Sequence, residues 1–96
     1  MSYQITFHPG ALHELKKLPQ SQQKKIGEVI GDLAEKPRPL GSVKLTGVEA
    51  YRVRIGEYRV AYAVKDKRVV VLILKIGHRR DIYRELETIK QRRKKE

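Results

Sequence analysis

Two stretches of this 96-residue chain hold residue types that do chemistry. Gly77-His78-Arg79-Arg80-Asp81-Ile82-Tyr83 combines an imidazole that titrates near neutrality, guanidiniums that hold anionic charge, and a tyrosine able to stack on a base or donate a hydrogen bond. In Tyr51-Arg52-Val53-Arg54-Ile55-Gly56-Glu57-Tyr58-Arg59, three arginines stand among apolar residues. Planar guanidinium forks match phosphate oxygens in bidentate fashion, so both stretches suit a multiply charged, phosphate-bearing ligand. Blander readings exist for each. Tyr83 is equally a packing residue, His78 an ordinary surface histidine, and Arg80–Asp81 solvated charge.

The elements around them decide what converges. Gly56-Glu57 reads as a two-residue type II′ hairpin loop, which pairs Ile55 with Tyr58, Arg54 with Arg59 and Val53 with Val60. The sheet's period of two then puts Arg52, Arg54 and Arg59 on one face and Tyr51, Val53, Ile55, Tyr58, Val60, Tyr62 and Val64 on the other. Like charges directly opposite each other cost up to about 1 kcal/mol, so Arg54 facing Arg59 does nothing for folding and points to an anion site. Asp66-Lys67 reads as a second two-residue loop, pairing Arg59 with Leu74 and giving Ile76 and His78 the arginine parity. Val69–Leu74 is apolar on both faces, as a central, doubly covered strand requires.

Upstream, 2–7 alternates as a short strand, and Pro9 suits the first turn of a helix carrying Ala11, Leu12, Leu15 and Leu18. Pro19 stops it, Ser21 caps a second helix with the stripe Ile26, Val29, Ile30, Leu33, and Pro37 and Pro39 end that one. Residues 37–50 form a loop holding Lys44-Leu45-Thr46-Gly47. A last helix runs from about Asp81 with Ile82, Leu86 and Ile89 on one stripe. It covers part of the arginine face and leaves a groove above Arg52, Arg54 and Arg59. The expected architecture is α+β, one domain over 1–96: a helical hairpin packed on an antiparallel sheet in the order β-α-α-β-β-β-α.

Composition narrows the function. The net charge is +11. Residues 1–50 carry seven basic and five acidic side chains, residues 51–96 fifteen and six. A field concentrated on one half steers polyanions to one place, which makes nucleic acid the leading partner class and an acidic protein the second. Without cysteine there is no disulfide scaffold, thiol nucleophile or thiolate zinc site. His8, His13 and His78 lack metal-ligand spacing, so neither metal nor cofactor is expected. No apolar run approaches the roughly 18 residues that span a bilayer, and no signal-peptide pattern opens the chain. A soluble, cytoplasmic domain is the expectation.

Taken together, Lys44-Leu45-x-Gly47, Tyr51-Arg52-Val53-Arg54-Ile55-Gly56-Glu57-Tyr58-Arg59-Val60-x-Tyr62 and Gly77-His78-Arg79-x4-Tyr83 resemble the RelE family within the RelE/ParE toxin superfamily. The resemblance implies a fold related to microbial ribonucleases and the toxin role in a type II toxin–antitoxin system. The implied activity is that of a metal-independent mRNA interferase, which cuts the codon in the ribosomal A site and so inhibits translation. Its partners would be mRNA, the ribosome and a RelB-like antitoxin. Carried across, Arg59 is similar to the arginine gripping the scissile phosphate, Arg79 to a second active-site arginine, and Tyr83 to the tyrosine holding a nucleotide. Arg52 and Arg54 stand where family members carry lysines. Arginine does not deprotonate near neutrality, which leaves His78 as the acid/base candidate and Arg54 as a stabiliser of charge. Lys44, Arg52, Arg54 and Arg80 would hold RNA. A ParE-like gyrase inhibitor and a non-catalytic or attenuated RNA-binding homologue are the alternatives.

Overall fold

The computed structural model describes residues 2–82 and 84–94, with the backbone alone at Ile82. Strand β1 (Gln4–Phe7) leads to helices α1 (Pro9–Lys16) and α2 (Gln20–Asp32). Strands β2 (Val43–Lys44), β3 (Tyr51–Ile55), β4 (Tyr58–Lys65) and β5 (Val70–His78) follow, then helices α3 (Arg79–Ile82) and α4 (Leu86–Lys94). The strands make one sheet in the order β1-β5-β4-β3-β2. Pro9 sits in the first turn of α1, and His8 Nδ1 accepts the Gly10 N–H at 3.0 Å. Helix α2 is not capped by Ser21. Pro19 holds the N-cap position, two residues earlier, and its carbonyl accepts from the Gln22 and Gln23 N–H groups.

The first hairpin forms as its glycine requires. Ile55 pairs with Tyr58 and Arg54 with Arg59, and Gly56 takes the left-handed φ of 59° that opens a II′ turn. Tyr51, Val53, Ile55, Tyr58, Val60, Tyr62 and Val64 pack with Ala11, Ile26, Ile30 and Leu33 beneath α1 and α2. On the opposite face Ala61, Ala63, Leu72 and Leu74 pack with Ala50 and with Ile89 of α4.

The α+β class stands, and four details differ. Strand β1 runs parallel to β5, so the sheet is mixed rather than antiparallel. The loop 37–50 contains β2, a two-residue edge strand pairing Val43 with Arg52 and Lys44 with Tyr51. The C-terminal helix is two helices, α3 and α4. The β4–β5 register is also shifted: Arg59 pairs with Gly77 and Tyr58 with His78, with Lys65 opposite Val70 across a longer turn. Within that turn Val69 holds φ at 57°, a left-handed conformation costing a β-branched residue about 1–2 kcal/mol. Its carbonyl accepts the Gln4 N–H at 2.9 Å, so the bend also starts the pairing with β1.

The shift has a local cause. Ala61 pairs with Lys75 but Tyr62 with Ile73, leaving Leu74 as the extra residue of a β-bulge. In an unbroken strand Lys75 would share a face with Val71 and Ile73 and enter the apolar core beneath α1 and α2. The bulge reverses the parity beyond it. Ile76 turns into that core, and Lys75 turns to Glu14, with Glu85 at 2.6 Å. Strand β1 has ended by then, and side chains complete the exposed edge of β5. Glu14 accepts the Ile76 N–H at 3.0 Å, while Arg92 donates to the Leu74 carbonyl at 2.8 Å and to both Glu14 oxygens at 3.0 and 3.1 Å. A Cβ on Gly10 would lie 2.5 Å from the Arg92 guanidinium, which explains the glycine there.

Burial works against ionising Glu14, yet Arg92, Lys75 and the Ile76 N–H outweigh it and hold its pKa below the ordinary 4.5. A depressed folded-state pKa contributes stability that is complete above about pH 4.5 and lost as pH falls through the folded value. Glu14→Gln should therefore cost on the order of 2–4 kcal/mol at pH 7, and the gap to wild type should narrow at pH 3. Urea denaturation at both pH values measures it; a gap that does not change with pH refutes this account.

Candidate phosphate-binding site

The arginines meet at the end of the sheet where β3 turns into β4. Arg59 is 9% exposed, and its Nη1 donates to the Gly56 and Tyr58 carbonyls at 3.2 and 3.0 Å. The guanidinium is thus folded back against the turn that precedes it. Burial, then the charges of Arg54, Arg52 and Arg79, push its proton affinity below the ordinary value, with Glu57 opposing them. Three segments therefore supply the cluster: β3 gives Arg52 and Arg54, β4 gives Arg59, and the start of α3 gives Arg79.

Arg79 is held from two sides. Its N–H donates to the Glu57 carbonyl at 2.8 Å, and its side chain pairs with the Glu57 carboxylate at 2.9 Å. Glu57 is thus a counterion inside the cluster, a role the sequence signals only through its place in the hairpin loop. Both partners are more than half exposed, so an incoming anion competes with Glu57 in water and at little cost.

The reversed parity changes what surrounds Arg59. Gly77 stands opposite it, and a Cβ there would meet no atom of the described residues within 4 Å, so among them open space lies beside the buried arginine. His78 does not share the arginine parity. It pairs with Tyr58, and their rings meet edge-on at 5.9 Å. The imidazole Nδ1 accepts the Arg80 N–H at 3.3 Å, which leaves Nε2 as the nitrogen for any ligand. Arg80 itself is exposed. Lys44 pairs with Glu49 at 3.4 Å and lines, with Arg52, Leu86 and Ile89, a groove of about 240 Å³ between β2 and α4. The groove expected above Arg52, Arg54 and Arg59 is therefore displaced: of those three arginines Arg52 alone lines this one. Tyr83 lies outside the described residues. Lys75, which sequence reading passed over, also stands on the arginine face, though its ammonium is taken by Glu14 and Glu85.

This geometry suits a negatively charged ligand, and two substitutions separate binding from folding. Arg54→Ala removes a like-charge pair, so stability should hold or rise by up to about 1 kcal/mol while the stabilisation conferred by added phosphate falls. Gly77→Val places a strand-favouring side chain in the open space, so the melting temperature should hold or rise while phosphate stabilises less. Thermal melts with and without phosphate test both; an undiminished phosphate effect in either variant removes the site.

Comparison with known proteins places the chain among type II toxin–antitoxin toxins. A family model described as the ParE toxin of the type II toxin–antitoxin system parDE matches residues 5–83. Toxin RelG of Mycobacterium tuberculosis is 35% identical over 88 residues, covering 88% of this chain and 99% of that protein. The mRNA interferase toxin RelE of Escherichia coli K12 is 30% identical over 82 residues, 82% of this chain and 85% of its own. Among solved structures, the toxin–antitoxin complex RelBE2 of M. tuberculosis matches with a TM-score of 0.74 at 29% identity, covering 82% of this chain and all of that one.

Proposed function

This chain belongs to the RelE/ParE family of type II toxin–antitoxin toxins, and from that premise we propose that it is a single-domain, cytoplasmic, ribosome-dependent mRNA interferase. The observation that carries the reading is the convergence of Arg52, Arg54 and Arg79 on the nearly buried Arg59. RNA supplies its own nucleophile. The 2′-oxygen attacks the adjacent phosphorus, the bond to the 5′-oxygen breaks, one proton leaves the nucleophile and another reaches the leaving oxygen. The products are a 2′,3′-cyclic phosphate and a 5′-hydroxyl.

Arg59, Arg54 and Arg79 stabilise the added negative charge of the transition state, and Arg59 is held in place beforehand by the Gly56 and Tyr58 carbonyls. His78 exchanges protons through Nε2. Tyr83 holds a nucleotide, and Lys44, Arg52 and Arg80 grip the flanking RNA. A two-metal mechanism needs clustered carboxylates, and the described residues gather no group of three metal-binding side chains. Control would come from a RelB-like antitoxin, by analogy with the solved RelBE complexes.

The test is cleavage of mRNA on programmed ribosomes, against a message with one 2′-deoxy nucleotide at the cut site. Wild type should cut only the all-ribose message, and Arg59→Ala should slow single-turnover cleavage about 10²–10³-fold. Equal cutting of both messages overturns the mechanism. The ParE description of the matching family model supports a second reading, inhibition of DNA gyrase. Gyrase inhibition without RNA cleavage would establish that reading instead.

A further inference from the structure

A large, open cavity lies at the other end of the sheet. It measures about 890 Å³, within the range of small-ligand sites, and opens between the β4–β5 turn, the loop around Gly47 and the second half of α4. Six cations line it: Lys65, Lys67, Arg68, Lys90, Arg93 and Lys94. Its two carboxylates are committed to cations from outside the lining. Asp66 receives Arg38 at 2.8 Å and the Tyr3 hydroxyl at 2.7 Å, and Glu49 pairs with Lys44.

The walls are held in place. Arg93 Nε donates to the Glu49 carbonyl at 3.1 Å, joining α4 to the loop. The turn that presents Lys67 and Arg68 is set by Val69 in its left-handed conformation and by the Arg38 fork on Asp66. Cations brought together by two segments distant in sequence, the β4–β5 turn and α4, around a concavity are not a solvated helix face, where like charges would spread apart.

We propose that this cavity is a second phosphate-binding site, distinct from the Arg59 cluster, taking a run of closely spaced phosphates. Arg59 and Lys65 are six residues apart on β4, about 20 Å at strand spacing, so one phosphate group cannot touch both sites. The run of phosphates comes either from a nucleoside polyphosphate or from a nucleic-acid backbone. The inference goes beyond the nuclease reading and stands without it, because binding here needs no 2′-hydroxyl.

A fluorescent 12-nucleotide single-stranded DNA, which lacks the attacking group, is the probe, titrated by anisotropy between 50 and 200 mM salt. Lys67→Ser/Arg68→Ser alters two exposed side chains, and Lys24→Ser/Lys25→Ser on α2 removes the same charge elsewhere. The cavity variant should bind at least tenfold more weakly at 100 mM salt, with a log–log salt slope shallower by about 1.4, while the α2 variant stays within threefold of wild type. Equal losses in both variants, or an unchanged slope in the cavity variant, overturn the proposal. ATP without metal tells the two sources apart: displacement of the probe from wild type but not from the cavity variant assigns the site to free nucleotides. Failure of ATP to compete, with the tenfold loss still present, assigns it to nucleic-acid backbone.

Discussion

One lysine governs the geometry of the sheet. Lys75 sits in a strand whose neighbours on both sides are apolar, and a regular strand would point its ammonium into the core beneath α1 and α2. Desolvating an unpaired ammonium there costs more than a local break in pairing. The strand takes the break: Leu74 is left without a partner in the ladder, Lys75 crosses to the other face, and Glu14 and Glu85 receive it. The fold then needs a carboxylate at Glu14, and that carboxylate also serves the Ile76 N–H at the sheet's open edge and the guanidinium of Arg92. One acidic side chain thereby links α1, β5 and α4.

What happens at Lys75 is felt at the phosphate site two residues on. With parity reversed, Gly77 rather than a side-chain-bearing residue faces Arg59, and the space beside the buried guanidinium stays open. His78 is turned onto the ring of Tyr58, and its Nδ1 is committed to the backbone at Arg80. The chain places its repulsive charges where the backbone is least free to move away from them. The two-residue hairpin sets Arg54 opposite Arg59, and the Glu57 carbonyl anchors the start of α3 beside them. The electrostatic cost of the cluster is thus borne by well-paired strands.

Much of this was legible in the sequence because it rested on short-range rules. Gly56-Glu57 admits one register, and that register alone puts Arg52, Arg54 and Arg59 on a common face and the tyrosine–valine series on the other. The features that escaped depend on contacts distant in sequence. Parallel pairing of β1 with β5 joins segments more than 60 residues apart, and β2 is two residues defined only by its neighbour Tyr51–Arg52. The bulge follows from Lys75, which reads as a flaw in an apolar strand until Glu14 is seen to meet it. The longer turn at Asp66 follows from Arg38, whose fork on that carboxylate holds its pKa below the usual range together with the Tyr3 hydroxyl.

The two faces of the sheet are stabilised by different physics, and that difference locates function. Beneath α1 and α2 the contacts are aliphatic and aromatic and largely closed to water. The other face has a small apolar patch around Ile89, flanked by ionic contacts: Glu14–Lys75–Arg92 at the β5 edge, Arg79–Glu57 at one end, and Arg93 on the Glu49 carbonyl at the other. Charged groups keep part of their interaction strength when they exchange partners, whereas an apolar contact that is opened has only water to meet. A surface built from guanidiniums with replaceable carboxylate partners can therefore fold without an anion and still accept one. Arg79 is the clearest case, since its partner Glu57 is exposed and an anion at the Arg59 cluster would compete with it.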